Sequence, residues 1–179
     1  MGVKYMMKTY VDSFDEEKFK QFLHYIIHAT SSLENVGRTV LFKILYFIDF
    51  NYYELFEEKL TGESYRKRQH GPVPSNFNRV IKELKAEKKL KEIKKKYKEY
   101  NQQKYISLIE PNISTLSAKE LDFINKNISI YSNFNATQIS EYSHQDMPYA
   151  ATKDLGEIID YELVFYRDPI FSVREYNND

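Results

Sequence analysis

Histidine and aspartate have the widest chemical range of the side chains in this sequence, and their spacing limits what they can do. His24 and His28 lie four residues apart in a helical pattern, so they share one helix face, a spacing that can bind a metal ion. No acid stands between them to complete the zincin pattern. We therefore expect ordinary histidines at a helix surface or boundary, and no metal site.

The other two histidines, His70 and His144, stand in turns near glycine, proline or aspartate, where either could serve as a general base. Neither is accompanied by a serine or cysteine nucleophile signature, a phosphate-binding glycine loop or a paired-carboxylate motif. The whole chain has only five glycines. This pattern favours a protein that is not an enzyme and that needs no cofactor.

Asp49 is a lone acid in a strongly apolar helical segment, where a carboxylate is costly unless it is paired and hydrogen-bonded. By the helix period it lies about 240° round from Lys43, away from the strip expected to face water. That strip consists of Lys43, Asn51, Glu54 and Glu58. The basic residues expected to be able to pair with Asp49 are Arg38, Arg66, Lys67, Arg68 and His70. Alternatively, Asp49 reaches water through a gap in the packing.

The stretch GESYRKRQHGPVP, residues 62–74, places a glycine and two prolines directly between two helical segments. Proline cannot continue a helix, so the segment must turn the chain. It is either a plain connector, a metal or catalytic site, or a structural signature.

Composition indicates a single domain over residues 1–179, because domains commonly hold about 100–200 residues. The chain has no cysteine, which excludes disulfides and cysteine-ligated metal and fits a reducing compartment. No apolar run of about 20 residues is present, so we expect no membrane span. The first residues lack a secretory pattern, and we expect a cytoplasmic protein.

Apolar residues recurring every three or four positions predict a mainly α fold of five to six helices with one small antiparallel β-hairpin. The predicted helices cover 12–31, 39–58, 74–90, 117–131 and 135–144, with a last one starting at Pro148. Asp12 or Ser13 is expected to cap the first, and Ser117 with Glu120 to form a capping box. The hairpin is predicted in 90–111, turning at Asn101.

Residues 85–98 hold eight lysines against two glutamates, although the formal net charge of the chain is zero. Such asymmetry suggests a basic patch for an acidic partner. The candidate partner-binding residues are Lys94, Lys95, Lys96 and Lys98. The alternative is a solvated edge strand, where lysine discourages unwanted pairing.

Two ordered blocks of the sequence resemble the Panacea domain, the SocA-like antitoxin family that also occurs in phage-associated proteins. The first block has Lys43 and Tyr46 followed by Asp49, then the Thr61-Gly62 turn with Tyr65. It ends in the step His70, Gly71, Pro72 and Val73. The second block has the Ser117-to-Glu120 helix start, the pair Ser143-His144 and the step Pro148-Tyr149.

The resemblance covers roughly residues 15–159 and implies a helical domain with a small hairpin. It also implies a non-enzymatic role, in which the chain binds and neutralises a toxin encoded beside it, and in one mode delivers that toxin to a protease as an adaptor. The His-Gly-Pro-Val turn is then a scaffold joint.

Two other classes of function stay open on the residues alone. A helix, a helix and a basic hairpin in this order can form a winged helix that binds nucleic acid, although zero net charge disfavours it. A hydrolase would use His70 or His144 with Asp49. We rank the antitoxin first, the nucleic-acid binder second and the hydrolase third.

Overall fold

The computed structural model describes residues 14–175. Within that range the chain forms six α-helices, one 3₁₀ helix and two antiparallel β-hairpins. The α-helices are α1 (Glu16–Thr30), α2 (Arg38–Phe56), α3 (Phe77–Ala86), α4 (Ala118–Tyr131), α5 (Ala136–Gln145) and α6 (Met147–Ala151). The strands are β1 (Tyr65–Arg68), β2 (Gly71–Pro74), β3 (Leu90–Tyr97) and β4 (Tyr100–Ser107), and the 3₁₀ helix is Tyr161–Tyr166.

Helix α2 is the centre of the fold, because apolar and aromatic side chains occur on every side of it. Its residues from Val40 to Tyr52 are all buried. Phe47 stacks on Tyr131 of α4, with ring centroids 4.6 Å apart. Phe50 stacks on Tyr161 of the 3₁₀ helix at 4.1 Å. The other elements therefore surround α2, and the core is a layer of rings around this helix.

The first hairpin, β1–β2, was not expected from the sequence. Its strands are four residues long, and β2 contains Pro72 and Pro74, which argue against a strand. Proline is tolerated in β2 because β2 is an edge strand that pairs only with β1 in this sheet. Pro74 lies opposite Tyr65, and Pro72 lies opposite Lys67. On its other side β1 pairs with the chain near Ile158. The sequence prediction of a single hairpin is therefore wrong, and a second small sheet holds the residue 62–74 stretch.

The second hairpin, β3–β4, is where the lysine-rich segment was expected to form a strand, and this prediction is confirmed. Its turn, however, is at Lys98 and Glu99 and not at Asn101, which lies in β4 opposite Lys96. Lys98 has a positive φ of 54°, the conformation that lets two eight-residue strands reverse in so short a turn.

Local capping signals place the helix starts. The Ser117–Glu120 capping box is present at the start of α4, as predicted. A second capping box joins Asn135 and Gln138 at the start of α5. Asp12 and Ser13, the expected caps of α1, lie outside the described residues, and Asp15 accepts the hydrogen bond from the Lys18 amide instead. No helix in residues 14–175 is both long enough and apolar enough to cross a membrane.

Candidate functional site

Helix α2 carries polar or ionisable side chains that are almost fully buried. Among them are Lys43, Tyr46, Asp49, Asn51 and Glu54. The expected water-facing strip is therefore wrong for Lys43, Asn51 and Glu54, and only Glu58, beyond the end of the helix, is exposed. These side chains meet partners from distant parts of the chain in three separate clusters.

Asp49 is fully buried and is held by hydroxyl groups. The Thr61 hydroxyl donates to both carboxylate oxygens, at 3.0 and 2.9 Å, and the Tyr65 hydroxyl donates to Oδ2 at 2.6 Å. The Thr61 backbone amide adds a weaker bond of 3.3 Å. Burial raises the pKa of Asp49 to about 7, against these hydrogen bonds, which lower it. The resemblance had grouped Asp49, Thr61 and Tyr65 as signature residues, and the fold brings all three together.

The prediction of a basic partner for Asp49 is wrong, because the expected cations bind elsewhere. Arg66 donates to the Gly156 carbonyl at 2.9 Å. Lys67 donates to the carbonyls of Tyr149 and Thr152 at the end of α6. Arg38 donates to neutral oxygens near β4 and α3, and His70 is exposed in the turn between β1 and β2. Arg66 and Lys67 thus donate their hydrogen bonds to backbone carbonyls. Asp49 receives its side-chain hydrogen bonds from hydroxyl groups.

The second cluster is a buried ionic network around Arg167, just past the 3₁₀ helix. Arg167 binds Asp146 through two parallel hydrogen bonds, from Nε to Oδ1 and from Nη2 to Oδ2, each 2.8 Å. Its Nη1 donates to Glu54 Oε2 at 2.8 Å and to Asn51 Oδ1 at the same distance. Tyr46 donates to Asp146 Oδ2 at 2.8 Å. One arginine therefore links the centre of α2, the start of α6 and the C-terminal segment.

Sequence reasoning missed Arg167, Asp146 and Glu54 as structural residues. Arg167 stands alone in the acidic stretch 154–168, and its isolation there was the available signal. Asn51 extends the network by donating to Asn127 and to the Tyr131 hydroxyl of α4. The network therefore fixes four elements by their buried polar groups, which cannot remain unpaired.

The third cluster contains the remaining signature residues and explains the glycine after His70. Gly71 has a φ of +112°, and a methyl group there would overlap Lys43 Cε and lie 2.6 Å from Ser143 Oγ. Pro72 is buried beside it, and Val73 packs against the core. The Gly-Pro-Val step thus closes the β1–β2 turn over Lys43 and Ser143.

Lys43 is 1% exposed, and burial lowers its pKa to about 7. A lysine of lowered pKa near a serine is the pairing of a Ser–Lys nucleophilic dyad. Ser143, however, is fully buried and donates to the Ser140 carbonyl at 2.8 Å. The Gly71 backbone covers both side chains, so the arrangement provides no access for a substrate.

His144 lies in the last turn of helix α5, so its expected place in a connecting turn is wrong. It is half-buried, and its ring stacks on Tyr149 with centroids 4.9 Å apart. Burial and the neighbouring Lys43 lower the pKa of His144. The Tyr149 hydroxyl donates to the Arg68 carbonyl, so the stack ties α5 and α6 to β1. Asp49 receives its side-chain hydrogen bonds from Thr61 and Tyr65. The histidine–aspartate pair required by the hydrolase hypothesis is therefore not formed.

His24 and His28 share a face of α1, as predicted, and both rings meet the Ser107 hydroxyl. The distances are 3.0 Å from His24 Nε2 and 3.2 Å from His28 Nδ1. The expected place at a surface or boundary is wrong for His24, which is buried, whereas His28 is exposed. Among residues 14–175 no group of three or more histidine or acidic side chains is arranged to hold a metal ion. The pair joins α1 to the end of β4.

The lysines expected to bind a partner are exposed on the second hairpin. Lys94, Lys95 and Lys96 lie on β3, opposite Gln103, Gln102 and Asn101. Lys98 lies in the turn, so its expected place on the strand is wrong. The structure thus separates the exposed lysines from the buried signature residues.

Replacing Gly71 by alanine should destabilise the protein by at least about 2 kcal/mol, because the backbone is strained and the methyl group overlaps Lys43. Gly156→Ala is the matched control, since its φ is +92° but the nearest atom to an added Cβ is 3.9 Å away. Urea unfolding measures both variants. Equal losses for the two would show that the overlap at Gly71 contributes nothing.

Lys43 and Asp49 should give stability opposite pH dependences. The folded pKa of Asp49, about 7, exceeds its ordinary value of 3.8, so the folded state holds the extra proton between these values and stability falls as pH rises through that window. The folded pKa of Lys43, about 7, lies below its ordinary value of 10.5, so the unfolded chain holds the extra proton and stability rises with pH above about 7.

Unfolding free energies at pH of about 5, 7 and 9 therefore pass through a minimum near neutrality. Asp49→Asn should flatten the acid side of this profile, and Lys43→Met the alkaline side. Comparing each variant with the unmodified chain removes the background from Glu63, whose pKa burial also raises. If the unfolding free energies of Lys43→Met and of the unmodified chain changed in parallel with pH above neutrality, the lowered pKa of a buried Lys43 would be contradicted.

Arg167→Met should cost about 3–5 kcal/mol of unfolding free energy, because Asp146 and Glu54 lose their buried counter-charge. Arg174→Met is the control, since its ion pair with Glu57 is largely exposed and worth at most about 1 kcal/mol. A cost below about 1 kcal/mol for Arg167→Met would show that water screens the network.

Comparison with known proteins finds a family model that covers most of α2 to α6. The family model described as antitoxin SocA-like, Panacea domain, matches residues 41–149, from α2 to α6. No curated protein and no solved structure matches the chain. The matched segment contains all three α2 clusters apart from Arg167 and its neighbours in the C-terminal segment. Because the match spans more than half of its length, the chain belongs to the SocA-like antitoxin family and carries a Panacea domain.

Proposed function

We propose that this chain is an antitoxin that neutralises a toxin protein by binding it directly. Membership of the SocA-like antitoxin family over residues 41–149 carries the proposal. The geometry supports it, because the buried polar side chains of α2 are enclosed by the elements around this helix, as Glu54 is by its ion pair with Arg167. What the described chain offers a partner is its surface.

The exposed face of β3–β4 carries a run of positive charge. Lys94, Lys95 and Lys96 follow one another on β3, and Lys98 extends them into the turn. Lys95 forms only a long ion pair, with 3.9 Å between its Nζ and an oxygen of Glu34. A partner with an acidic patch would gain electrostatic steering here, and specificity more than raw affinity.

A nucleic acid is less well suited to the described surface. In a winged helix, α3 would be the recognition helix, but its exposed residues form ion pairs of both signs. Arg79 pairs with Glu16 and Glu83, and Lys20 of α1 pairs with Glu83 and Glu87. An alternating face of this kind does not provide the basic stripe that phosphates require.

Co-expression with the neighbouring gene tests the proposal. We expect the neighbouring product to stop growth when expressed alone, and the two purified proteins to form a stoichiometric complex in size-exclusion chromatography. Rescue that persists in a strain lacking its cytoplasmic proteases would indicate neutralisation by binding. Rescue that depends on one protease would indicate the adaptor mode. A neighbouring product that is not toxic, or that forms no complex, would contradict the proposal.

Changing the four candidate lysines to glutamine should weaken the toxin complex and leave stability unchanged, because their side chains are exposed. The matched control carries the same number of changes at exposed lysines outside the β3–β4 hairpin: Lys82, Lys88, Lys126 and Lys153. Binding is measured by titration calorimetry and stability by thermal unfolding. Equal affinities for the two variants would show that the hairpin lysines only solvate an edge strand.

A further inference from the structure

A cleft of about 500 Å³ lies where the tip of the β3–β4 hairpin meets the starts of α2 and α5. Its walls include Arg38, Tyr97, Lys98, Tyr100 and Asn135. Two further depressions adjoin it, one sharing Tyr97, Lys98 and Asn135, the other sharing residues 101–103. The three together form a groove around the hairpin tip, which we call the tip groove. Its central cleft falls within the roughly 300–1,000 Å³ of typical ligand sites.

Cross-links made by buried or half-buried side chains hold the walls of the tip groove. Lys104 is buried and donates to the carbonyls of Leu33 and Val36, at 2.6 and 3.1 Å. Asn35 donates to the carbonyls of Ser132 and Phe134. The segment between α1 and α2 is therefore tied to β4 on one side and to the α4–α5 connection on the other. A site already held in shape loses little conformational entropy when a partner binds.

Cations outnumber acids at the tip groove, and the ion pair between Lys95 and Glu34 there is loose. Arg38 donates to Gln103, Tyr105 and Asn78, all uncharged, and forms no ion pair with any residue in 14–175. Lys98 lies over the ring of its neighbour Tyr97, at 5.5 Å. The lysines of β3 line the adjoining depression. The groove is therefore positive and has capacity for carboxylates.

The hairpin tip also presents aromatic surface. Tyr97 and Tyr100 lie opposite each other across the turn, and Tyr100 is 71% exposed. Exposed tyrosine beside cations is typical of an interface anchor, because the ring gives apolar contact and the hydroxyl a hydrogen bond. Glu34 lines one of the adjoining depressions and Glu99 lies in the turn, so the positive surface is short and interrupted, and a continuous chain of phosphates could not follow it. A short acidic segment of a protein fits the groove better than a nucleic acid.

We propose that the tip groove binds an acidic segment of the toxin, with carboxylates against Lys98 and the β3 lysines and an apolar side chain against Tyr100. This assignment rests on the proposed function and specifies its surface. The starts of helices α2 and α5 form walls of the groove and are not proposed to bind the segment themselves. The positive charge and the exposed ring select the partner.

The double variant Lys98→Glu/Tyr100→Ala tests this surface without touching the core. We expect its affinity for the purified toxin to fall by about tenfold or more at low salt, and this loss to shrink at high salt as charges are screened. Tyr166→Ala/Lys153→Glu is the matched control, because Tyr166 is also 71% exposed and Lys153 is an exposed lysine outside the groove. The control should bind within about twofold of the unmodified chain.

The outcomes separate this inference from the proposed function. If the unmodified chain binds toxin and the groove variant binds equally well, the groove assignment fails while the antitoxin role stands. A loss of toxin binding that is independent of salt would contradict the proposal that the bound segment is acidic. Tight, salt-sensitive binding of duplex DNA that the groove variant loses would contradict the proposal that the groove binds a protein. A toxin Glu→Lys or Asp→Lys change that restores binding to Lys98→Glu would identify the segment.

Discussion

The fold depends on one constraint: helix α2 is buried on every side yet carries ionisable side chains, so each of them must find its partner inside the protein. A buried charge without a partner costs several kcal/mol, and the chain meets this cost in three different ways. Asp49 is surrounded by hydroxyl donors, Glu54 pairs with Arg167, and Lys43 sheds its proton readily. The elements around α2 are fixed in place because they supply these partners.

This constraint accounts for the contacts of several residues that the family resemblance had grouped. Thr61 and Tyr65 close the segment after α2 onto Asp49, and Gly71 allows the β1–β2 turn to approach Lys43. Ser143 completes that contact from α5. None of these side chains presents a reactive atom to an open cleft. Their arrangement resembles a catalytic constellation in its residue types and differs from one in its lack of access.

The proposed toxin-binding surface is physically independent of that scaffold. The lysines of β3 and the ring of Tyr100 are exposed, and the contacts that hold the tip groove come from Lys104 and Asn35. Substitutions at an exposed hairpin tip usually change stability by little, whereas changes around α2 alter buried polar contacts. A domain built in this way can vary its partner surface while it keeps its core.

Features that depend on neighbours a few residues apart could be predicted from the sequence. The helix periods, the capping box of Ser117 and Glu120 and the lysine-rich hairpin are local, because three- and four-residue spacing or strand pairing across a short turn defines them. The two family blocks were also visible, since they are short ordered motifs. The turn at Lys98 was misplaced because an amide-rich stretch beside it offered an equally good local signal.

The contacts between polar side chains depend on the tertiary fold and could not be predicted from the sequence. Tyr46 and Asp146 are 100 residues apart, and Arg167 is 113 residues from Glu54. A helical period assigned Lys43 and Glu54 to the surface because charged residues are ordinarily there. It could not show that the C-terminal segment returns over α2 with an arginine. The β1–β2 hairpin was equally invisible. Its strands are four residues long and β2 contains two prolines, so the hairpin forms through contacts with α2, α5 and the chain near Ile158 rather than through strand propensity.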